Sequence, residues 1–293
     1  MKTETYEVQI GKLLEQLTLE EKIGMIHGAG LFRTEGVERL SIPPLFFSDG
    51  PMGVRAEFAD NEWRNTGTTD DFVSYLPCNS AVASTWNREL AGEEGRVLGE
   101  EARGRGKDMI LAPGINIKRS PFCGRNFEYY SEDPLLAGKM GAAMVRGIQS
   151  QHIAAAVKHF ACNNKETNRK HSDSRVSERA LREIYLKAFE IIVKEADPWV
   201  IMSAYNMING HRASENHDLL EGILRDEWHF HGMVTSDWWT RGEHYKEIKA
   251  GNDVKMACGF PERVKKAMEL GALDRSDLER CAKRVLDLIL KID

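Results

Sequence analysis

The chain has 293 residues, of which 42% are apolar, and it carries a formal net charge of −5 with 9 histidines. This composition supports a large buried core, and the scattered Lys and Arg residues provide no basic field for nucleic acid. No segment reaches the roughly 20 apolar residues of a membrane span. The odd number and wide spacing of the cysteines argue against a disulfide frame or a zinc site. We therefore expect a soluble, cytoplasmic protein that binds no nucleic acid, membrane, metal or cofactor. Its reduced cysteines are Cys78, Cys123, Cys162, Cys258 and Cys281.

Short apolar strands alternate with helical segments along the chain. Thr18 and Glu21 form a capping box that opens an early helix, and Pro134 marks the first turn of a later helix that runs to Gln149. Apolar runs predict strands over 42–47, 109–112, 153–157, 199–202 and 232–236. Further helices are predicted over 86–105, 177–195 and 217–228.

This alternation predicts an α/β fold. The strands are apolar on both faces, which is typical of a parallel sheet covered by helices. The length suits a TIM-type (β/α)8 barrel, regular or irregular, since fewer than eight strands can be counted in the sequence. No Pro- or Ser-rich linker interrupts the pattern, so we expect one domain over residues 1–293. A doubly wound sheet is the alternative architecture.

Polar residues follow the predicted strands at the points where the strands end. In a parallel barrel or an open parallel sheet, the carboxyl ends of the strands meet on one face, where active sites lie. The sequence therefore predicts that these polar side chains share one site. The residues concerned are Asp49, Lys158, His159, Tyr205 and Asp237.

Asp237 is a lone carboxylate that follows an apolar strand and precedes Trp238. An aspartate held at a strand end can attack an anomeric carbon, and an adjacent indole can cover the apolar face of a sugar ring. The alternative interpretation is that Asp237 is the N-cap of the next helix.

Two further groups of residues allow a functional and a structural interpretation. Lys158 and His159 are neighbours that would normally point to opposite faces of a strand, so both reach one pocket only through a bulge, a turn or a cis peptide. Otherwise His159 is buried and Lys158 is solvated. In the loop over 116–128, Arg125 suits sugar hydroxyls or a carboxylate, or else forms an ion pair with Glu128 that holds the loop.

Several short motifs, taken in order, resemble the N-terminal barrel domain of family three glycoside hydrolases of the β-glucosidase type. The resemblance runs from about Leu13 to the final helix. A single motif of this kind is weak evidence, whereas many in the right order are specific. They are Ser48-Asp49-Gly50-Pro51, Gly124-Arg125-Asn126-Phe127-Glu128, Ser131-Glu132-Asp133-Pro134, Lys158-His159-Phe160, Glu166-Thr167-Asn168-Arg169 and Ser236-Asp237-Trp238.

The resemblance implies a retaining glycosidase in which Asp237 is the nucleophile. It also implies a first sugar subsite whose hydroxyls are held by charged side chains and which is shaped by larger residues. A β-linked glucoside or oligosaccharide is the implied substrate. The charged residues are Asp49, Arg55, Arg125, Lys158 and His159, and the shaping residues are Met202, Tyr205 and Trp238.

The general acid/base is the main departure from that pattern. In two-domain members of the family it is a glutamate in a second α/β domain, which we expect to be absent from this chain and which a partner would supply in trans. A single-domain branch resembling β-N-acetylglucosaminidases uses a loop His-Asp pair instead, and His171 with Asp173 lies at that position. A catalytically incomplete sugar-binding fragment is the third alternative.

Overall fold

The computed structural model describes residues 2–55 and 73–292. The five strands of its main sheet are short and lie at or near the predicted positions, so the predicted alternation of strands and helices is confirmed, whereas β4, β6 and β7 were not predicted. The strands are β1 (Phe47–Asp49), β2 (Met109–Leu111), β3 (Ala154–Phe160), β4 (Asp173–Ser174), β5 (Val200–Ser203), β6 (Met207–Ile208), β7 (His211–Arg212) and β8 (Met233–Ser236).

The helices lie on the outside of the sheet, and the first and last elements of the described chain are also helices. Thr18 and Glu21 form the predicted capping box, and Pro134 lies in the first turn of its helix. The segment predicted as one helix over 177–195 is divided, with the π-helical stretch Leu181–Tyr185 in its middle, and Asp218–Glu227 is also π-helical. The α-helices are α1 (Lys2–Gln16), α2 (Leu19–Met25), α3 (Asn79–Ser84), α4 (Arg88–Gly104), α5 (Pro134–Gln149), α6 (Glu178–Ala180), α7 (Lys187–Ala196), α8 (His244–Ala250), α9 (Pro261–Glu269) and α10 (Arg275–Ile292).

The main sheet of the described residues is parallel and five-stranded, in the order β1-β2-β3-β5-β8. Isolated bridges continue it beyond both edges. Parallel bridges join β8 to Val254 and the neighbouring Lys255 to His27, and antiparallel bridges join residue 28 to 34 and residue 33 to 46, just before β1. These bridges connect β8 back to the residue that precedes β1. The bridged segments are too short to be assigned as strands. The architecture is that of an irregular TIM-type barrel.

Side chains alternate between two cores along each strand. Met109 and Leu111 of β2 belong to one buried cluster, whereas Ile110 between them belongs to the other. The same alternation occurs in β3, β5 and β8. Since successive strand residues point to opposite faces, one cluster includes the interior of the ring together with residues of α1, α2, α9 and α10, and the other lies under α4, α5 and α7. This explains why the strands are apolar on both faces.

A second, small sheet lies in the loops that follow β3 and β5. Its order is β4-β6-β7, with β4 and β6 parallel and β6 and β7 antiparallel. Asn209 between β6 and β7 donates to the Val176 carbonyl and accepts from the Val176 N–H. The sheet therefore joins the two loops, and strands of two residues leave no periodic signal in the sequence. Within the described ranges, no helix has the length and apolarity needed to cross a membrane.

Candidate active site

The carboxyl ends of β1, β3 and β8 bring four of the predicted polar side chains together. Lys158 Nζ, which is only 3% exposed, lies 3.3 Å from Asp49 Oδ1 and 3.6 Å from Glu128 Oε2. His159 Nε2 lies 3.7 Å from Asp237 Oδ2. The shared placement after strands therefore predicted a real cluster, and the same residues line one end of the ring.

Lys158 is the buried cation at the floor of this cluster. Asp49 also accepts a hydrogen bond from the Gly50 N–H at 3.1 Å. Burial acts to raise the pKa of Asp49, but the charges of Lys158 and Arg125 outweigh it and lower the pKa overall. The interpretation in which Lys158 is solvated is wrong, and Asp49 stays ionised to a lower pH than an ordinary aspartate.

Arg125 has two roles: it forms an ion pair within its loop, and its positive charge acts on the carboxylate of Asp237. Its Nε donates to Glu128 Oε1, so the predicted Arg-Glu ion pair exists. Burial acts to lower the pKa of Arg125, but Glu128 and Asp237 help to raise it overall. Arg125 is also the largest favourable charge acting on Asp237. The structural and functional interpretations of this residue are therefore compatible.

Asp237 follows β8 and is buried. Its Oδ1 accepts the Trp238 N–H at 2.7 Å, whereas Oδ2 has no hydrogen-bond partner of ordinary geometry among the described residues. Burial raises the pKa of Asp237, although Arg125 and the Trp238 N–H act to lower it. The N-cap interpretation is wrong, because α8 begins only at His244 with Glu243 as its N-cap.

His159 is held through both its backbone and its ring. The Asn116 side chain donates to the His159 carbonyl at 2.9 Å and accepts the His159 N–H at 2.8 Å. The Tyr129 hydroxyl lies 3.2 Å from Nδ1. A cis peptide joins Lys158 to His159, and the register of β3 shifts there, as the adjacent pair required. Burial, then the charges of Arg125 and Lys158, lower the pKa of His159 well below its usual value, which favours the neutral imidazole.

The residues expected to shape the subsite are all buried. Met202 is 1% exposed in the interior core and pairs with Lys158 and Thr235 in the sheet. Tyr205 is 6% exposed, and burial followed by the nearby Asp237 carboxylate raises its pKa. Both residues lie beside the charged cluster.

The Trp238 side chain is buried, so its ring offers little open surface to a ligand. It is 5% exposed, it donates from Nε1 to the Leu31 carbonyl at 2.6 Å, and its ring lies 5.4 Å from that of Phe32. The guanidinium of Arg55 lies 4.1 Å above the same Phe32 ring, so Arg55 approaches the site through this stack. The next residue, Trp239, is 42% exposed. An aromatic surface for a ligand is therefore offered by Trp239 more than by Trp238.

The loop after β3 contributes cations that the strand-end pattern did not indicate. The Arg169 guanidinium lies 4.7 Å from the centroid of the Tyr205 ring and pairs with Glu166 at 3.0 Å. Lys170 Nζ lies 4.9 Å from the same centroid. Asn116 and Tyr129 were likewise not predicted as site residues. Their roles depend on contacts between distant segments, which have no local sequence signal.

His171 and Asp173 do not form a pair. His171 is exposed, and Asp173 instead binds Arg175 at 2.7 Å and accepts the Gly210 N–H at 2.9 Å. No hydrogen bond between the two side chains is present in the described part of the chain. Over the same residues, no group of three or more His, Cys, Asp and Glu side chains is arranged to hold a metal ion.

The comparisons with known proteins agree with this geometry. The model of the glycosyl hydrolase family 3 N terminal domain matches residues 48–288. The chain is 52% identical over 279 residues to β-glucosidase A of Butyrivibrio fibrisolvens, covering 93% of this chain and 32% of that protein. It is 42% identical to an exo-α-(1→6)-L-arabinopyranosidase of Bifidobacterium longum, covering 95% of this chain and 37% of the relative.

A solved structure shares both the fold and much of the sequence. The structure of β-glucosidase 3B from Thermotoga neapolitana in complex with α-D-glucose superposes with a TM-score of 0.91 at 41% identity. The match covers 97% of this chain and 42% of that one, so the chain spans about a third to two fifths of the length of these relatives. The family model covers most of the chain and the relatives share the barrel. This chain therefore belongs to glycosyl hydrolase family 3 and contains its N-terminal, TIM-type barrel domain.

Proposed function

We propose that this chain is the nucleophile-bearing part of a retaining β-glucosidase-type hydrolase. The observation that carries the proposal is the Asp237 carboxylate. It is buried, its Oδ2 has no hydrogen-bond partner of ordinary geometry among the described residues, and this oxygen faces His159 Nε2 at 3.7 Å. An oriented and poorly solvated carboxylate of this kind is suited to attack an anomeric carbon.

The surrounding side chains suit the binding of sugar hydroxyls. Asp49 accepts hydrogen bonds, Lys158 and Arg125 donate them, and neutral His159 has one nitrogen of each kind. In the proposed reaction, Asp237 Oδ2 forms a bond to the anomeric carbon while the bond to the leaving oxygen breaks. Water then cleaves the resulting ester and regenerates the carboxylate. The buried charges around the pocket are fixed in advance, so they stabilise developing charge without reorganising.

The leaving oxygen must gain a proton, and the nearby carboxylates are engaged elsewhere. Glu128 binds Arg125 and Lys158, Asp49 binds Lys158, and Glu166 binds Arg169. The pKa of Asp49 is lowered overall, so Asp49 is a poor general acid, and the ion pairs of Glu128 and Glu166 direct their oxygens to cations. We therefore propose that the acid/base lies on a second α/β domain, in trans if it is on another chain.

The sugar is proposed to be glucose in a β-linked glucoside or oligosaccharide. The names of the relatives support a pyranose but include both β-glucosidases and an arabinopyranosidase. Two other functions remain as alternatives, a sugar-binding fragment without turnover and a single-domain enzyme that uses His171. The exposed His171, unpaired with Asp173, gives the second alternative less support.

The test is covalent labelling by 2,4-dinitrophenyl 2-deoxy-2-fluoro-β-glucoside, followed by intact and peptide mass spectrometry. Such a leaving group needs little protonation, so the first step does not require the general acid. We expect one added fluoroglucosyl group on Asp237 and none in Asp237→Asn. Glucose binding without labelling would instead identify a sugar-binding fragment, and labelling elsewhere would assign another nucleophile.

The proposed location of the general acid is tested by comparing leaving groups. General acid catalysis contributes about 10²–10⁴-fold, most for the poorest leaving groups. This chain alone should therefore hydrolyse cellobiose far more slowly than an activated aryl glucoside, and azide should accelerate turnover of the glycosyl-enzyme. Efficient cellobiose hydrolysis with a bell-shaped pH profile would instead favour an acid within the loop after β3, with His171 or Glu166 as the first candidates.

We also propose that the protein works in the cytoplasm. All five cysteines lie in the described residues and all are free thiols, of which Cys258 is exposed. Free thiols persist in a reducing compartment. Fractionation of cells of the source organism would test this, and activity confined to the extracellular fraction would contradict it.

A further inference from the structure

Lys170 lies over two aromatic rings at the outer edge of the proposed active site. Its Nζ is 4.9 Å from the ring centroid of Tyr205 and 5.9 Å from that of Trp239. Tyr205 is buried beside Asp237, whereas Trp239 is 42% exposed. Lys170 therefore lies between the buried Tyr205, which is beside the nucleophile, and the exposed Trp239.

The charges around Lys170 are mostly positive. Arg169 is adjacent and is already paired with Glu166, and Arg241 follows Asp237 on the neighbouring loop. Burial lowers the pKa of Lys170, and Arg169 and Arg241 lower it further, while Asp237 acts to raise it. Among the described residues Lys170 has no salt-bridge partner. The acidic group that offsets the positive charge of Lys170 is thus Asp237, the proposed nucleophile.

This balance changes during the proposed reaction. When Asp237 forms an ester with the sugar, its negative charge passes to the leaving oxygen, and the carboxylate no longer offsets the charge of Lys170 or of the neighbouring Arg169 and Arg241. A negative group on the departing molecule would compensate Lys170 throughout this step. The adjacent exposed face of Trp239 would suit a planar ring that carries such a group.

Building on the proposed function, we propose that Lys170, Tyr205 and Trp239 form a leaving-group subsite that selects glycosides with an anionic aromatic aglycone, such as a carboxylated phenol. Lys170 would pair with the carboxylate while the ring lies against Trp239. Lys170 is then a specificity-determining residue, and the charged residues proposed to hold the sugar hydroxyls have no part in this selection.

The test compares two 2-deoxy-2-fluoro-β-glucosyl donors, one with a nitrophenol leaving group and one with the same ring bearing a carboxylate. Quenched-flow labelling followed by mass spectrometry gives, for each donor, the rate constant of labelling divided by the donor Kd. This quotient is measured for the wild type and for Lys170→Met. Intrinsic leaving-group ability cancels when the two donor ratios are compared. Loss of a half-exposed ion pair should lower the preference for the carboxylated donor by about fivefold.

Two controls make the result specific. Lys194→Met removes a lysine that is 52% exposed at the end of α7, just before β5 and therefore at the other end of the barrel, and should leave the ratio unchanged. The wild-type preference should also weaken as salt rises from about 0.05 to 0.5 M. A ratio unchanged in Lys170→Met, or changed equally in Lys194→Met, would overturn the proposal.

A failure of the proposed function can be recognised separately. If neither donor labels the wild type, the nucleophile assignment fails. The subsite is then tested by the Kd values of the two matching thioglucosides, measured by titration calorimetry. About fivefold tighter binding of the carboxylated compound, lost in Lys170→Met, supports the anion subsite on its own, and equal Kd values reject it.

Discussion

Asn116 should be as important to the site as the residues that face the pocket. Its side chain is 2% exposed and bonds both backbone polar groups of His159, at 2.8 and 2.9 Å. Asn116→Ala leaves a buried N–H and a buried C=O without these partners. Each unsatisfied group costs about 1–3 kcal/mol, so we expect the free energy of unfolding to fall by about 2–6 kcal/mol, the lower figure applying if water enters the space.

Urea denaturation measures this loss, and the labelling rate of Asp237 measures its effect on the site. Leu278→Ala is the matched control, because Leu278 is fully buried in α10 and its truncation costs a similar 2–5 kcal/mol without touching His159. Under conditions where both variants are folded, labelling should slow more in Asn116→Ala. Equal labelling rates in the two variants, or a loss below about 1 kcal/mol, would refute the reasoning.

Two further predictions concern buried carboxyl groups. Because burial raises the pKa of Asp237, its native carboxyl keeps a proton to a higher pH than in the unfolded chain, and native stability falls as pH rises through that range. Asp237→Asn should therefore lose all labelling yet unfold at the same or a higher temperature at pH 7; a large drop in Tm would show that the charge is structurally required. Burial also raises the pKa of Glu94 to about 7. Wild-type stability should thus fall by roughly 1–3 kcal/mol between pH 4.5 and 8 relative to Glu94→Gln, and parallel pH profiles of Tm in the two proteins would contradict this.

Local signals explain the features of the fold that the sequence predicted well. The capping box at Thr18 and the proline at Pro134 act within a few residues, so their helices begin where expected. The strands were visible because both their faces are buried. The closing bridges of the ring and the sheet β4-β6-β7 were not visible, since one or two paired residues produce no periodic pattern and depend on contacts between distant segments.

The candidate site likewise has features that the sequence predicted and features that it did not. Asp49, Lys158 and Asp237 were found because a parallel sheet places its strand ends together. The two tryptophans were not distinguished, because exposure depends on how the chain turns after β8. Trp239 has a left-handed φ of 52°, and this turn leaves Trp239 at the surface and Trp238 against Phe32. No residue type near Trp239 indicated that conformation.

The small sheet has a consequence for transplanting specificity between relatives. It joins the loop that carries Arg169 and Lys170 to the loop that carries Tyr205, and Asn209 fastens the two through Val176. Exchanging either loop alone would break these pairings. Residues 163–176 and 204–213 therefore form one exchangeable cassette, which includes Tyr205 and could be replaced as a unit while Asp49, Lys158, His159 and Asp237 stay as they are.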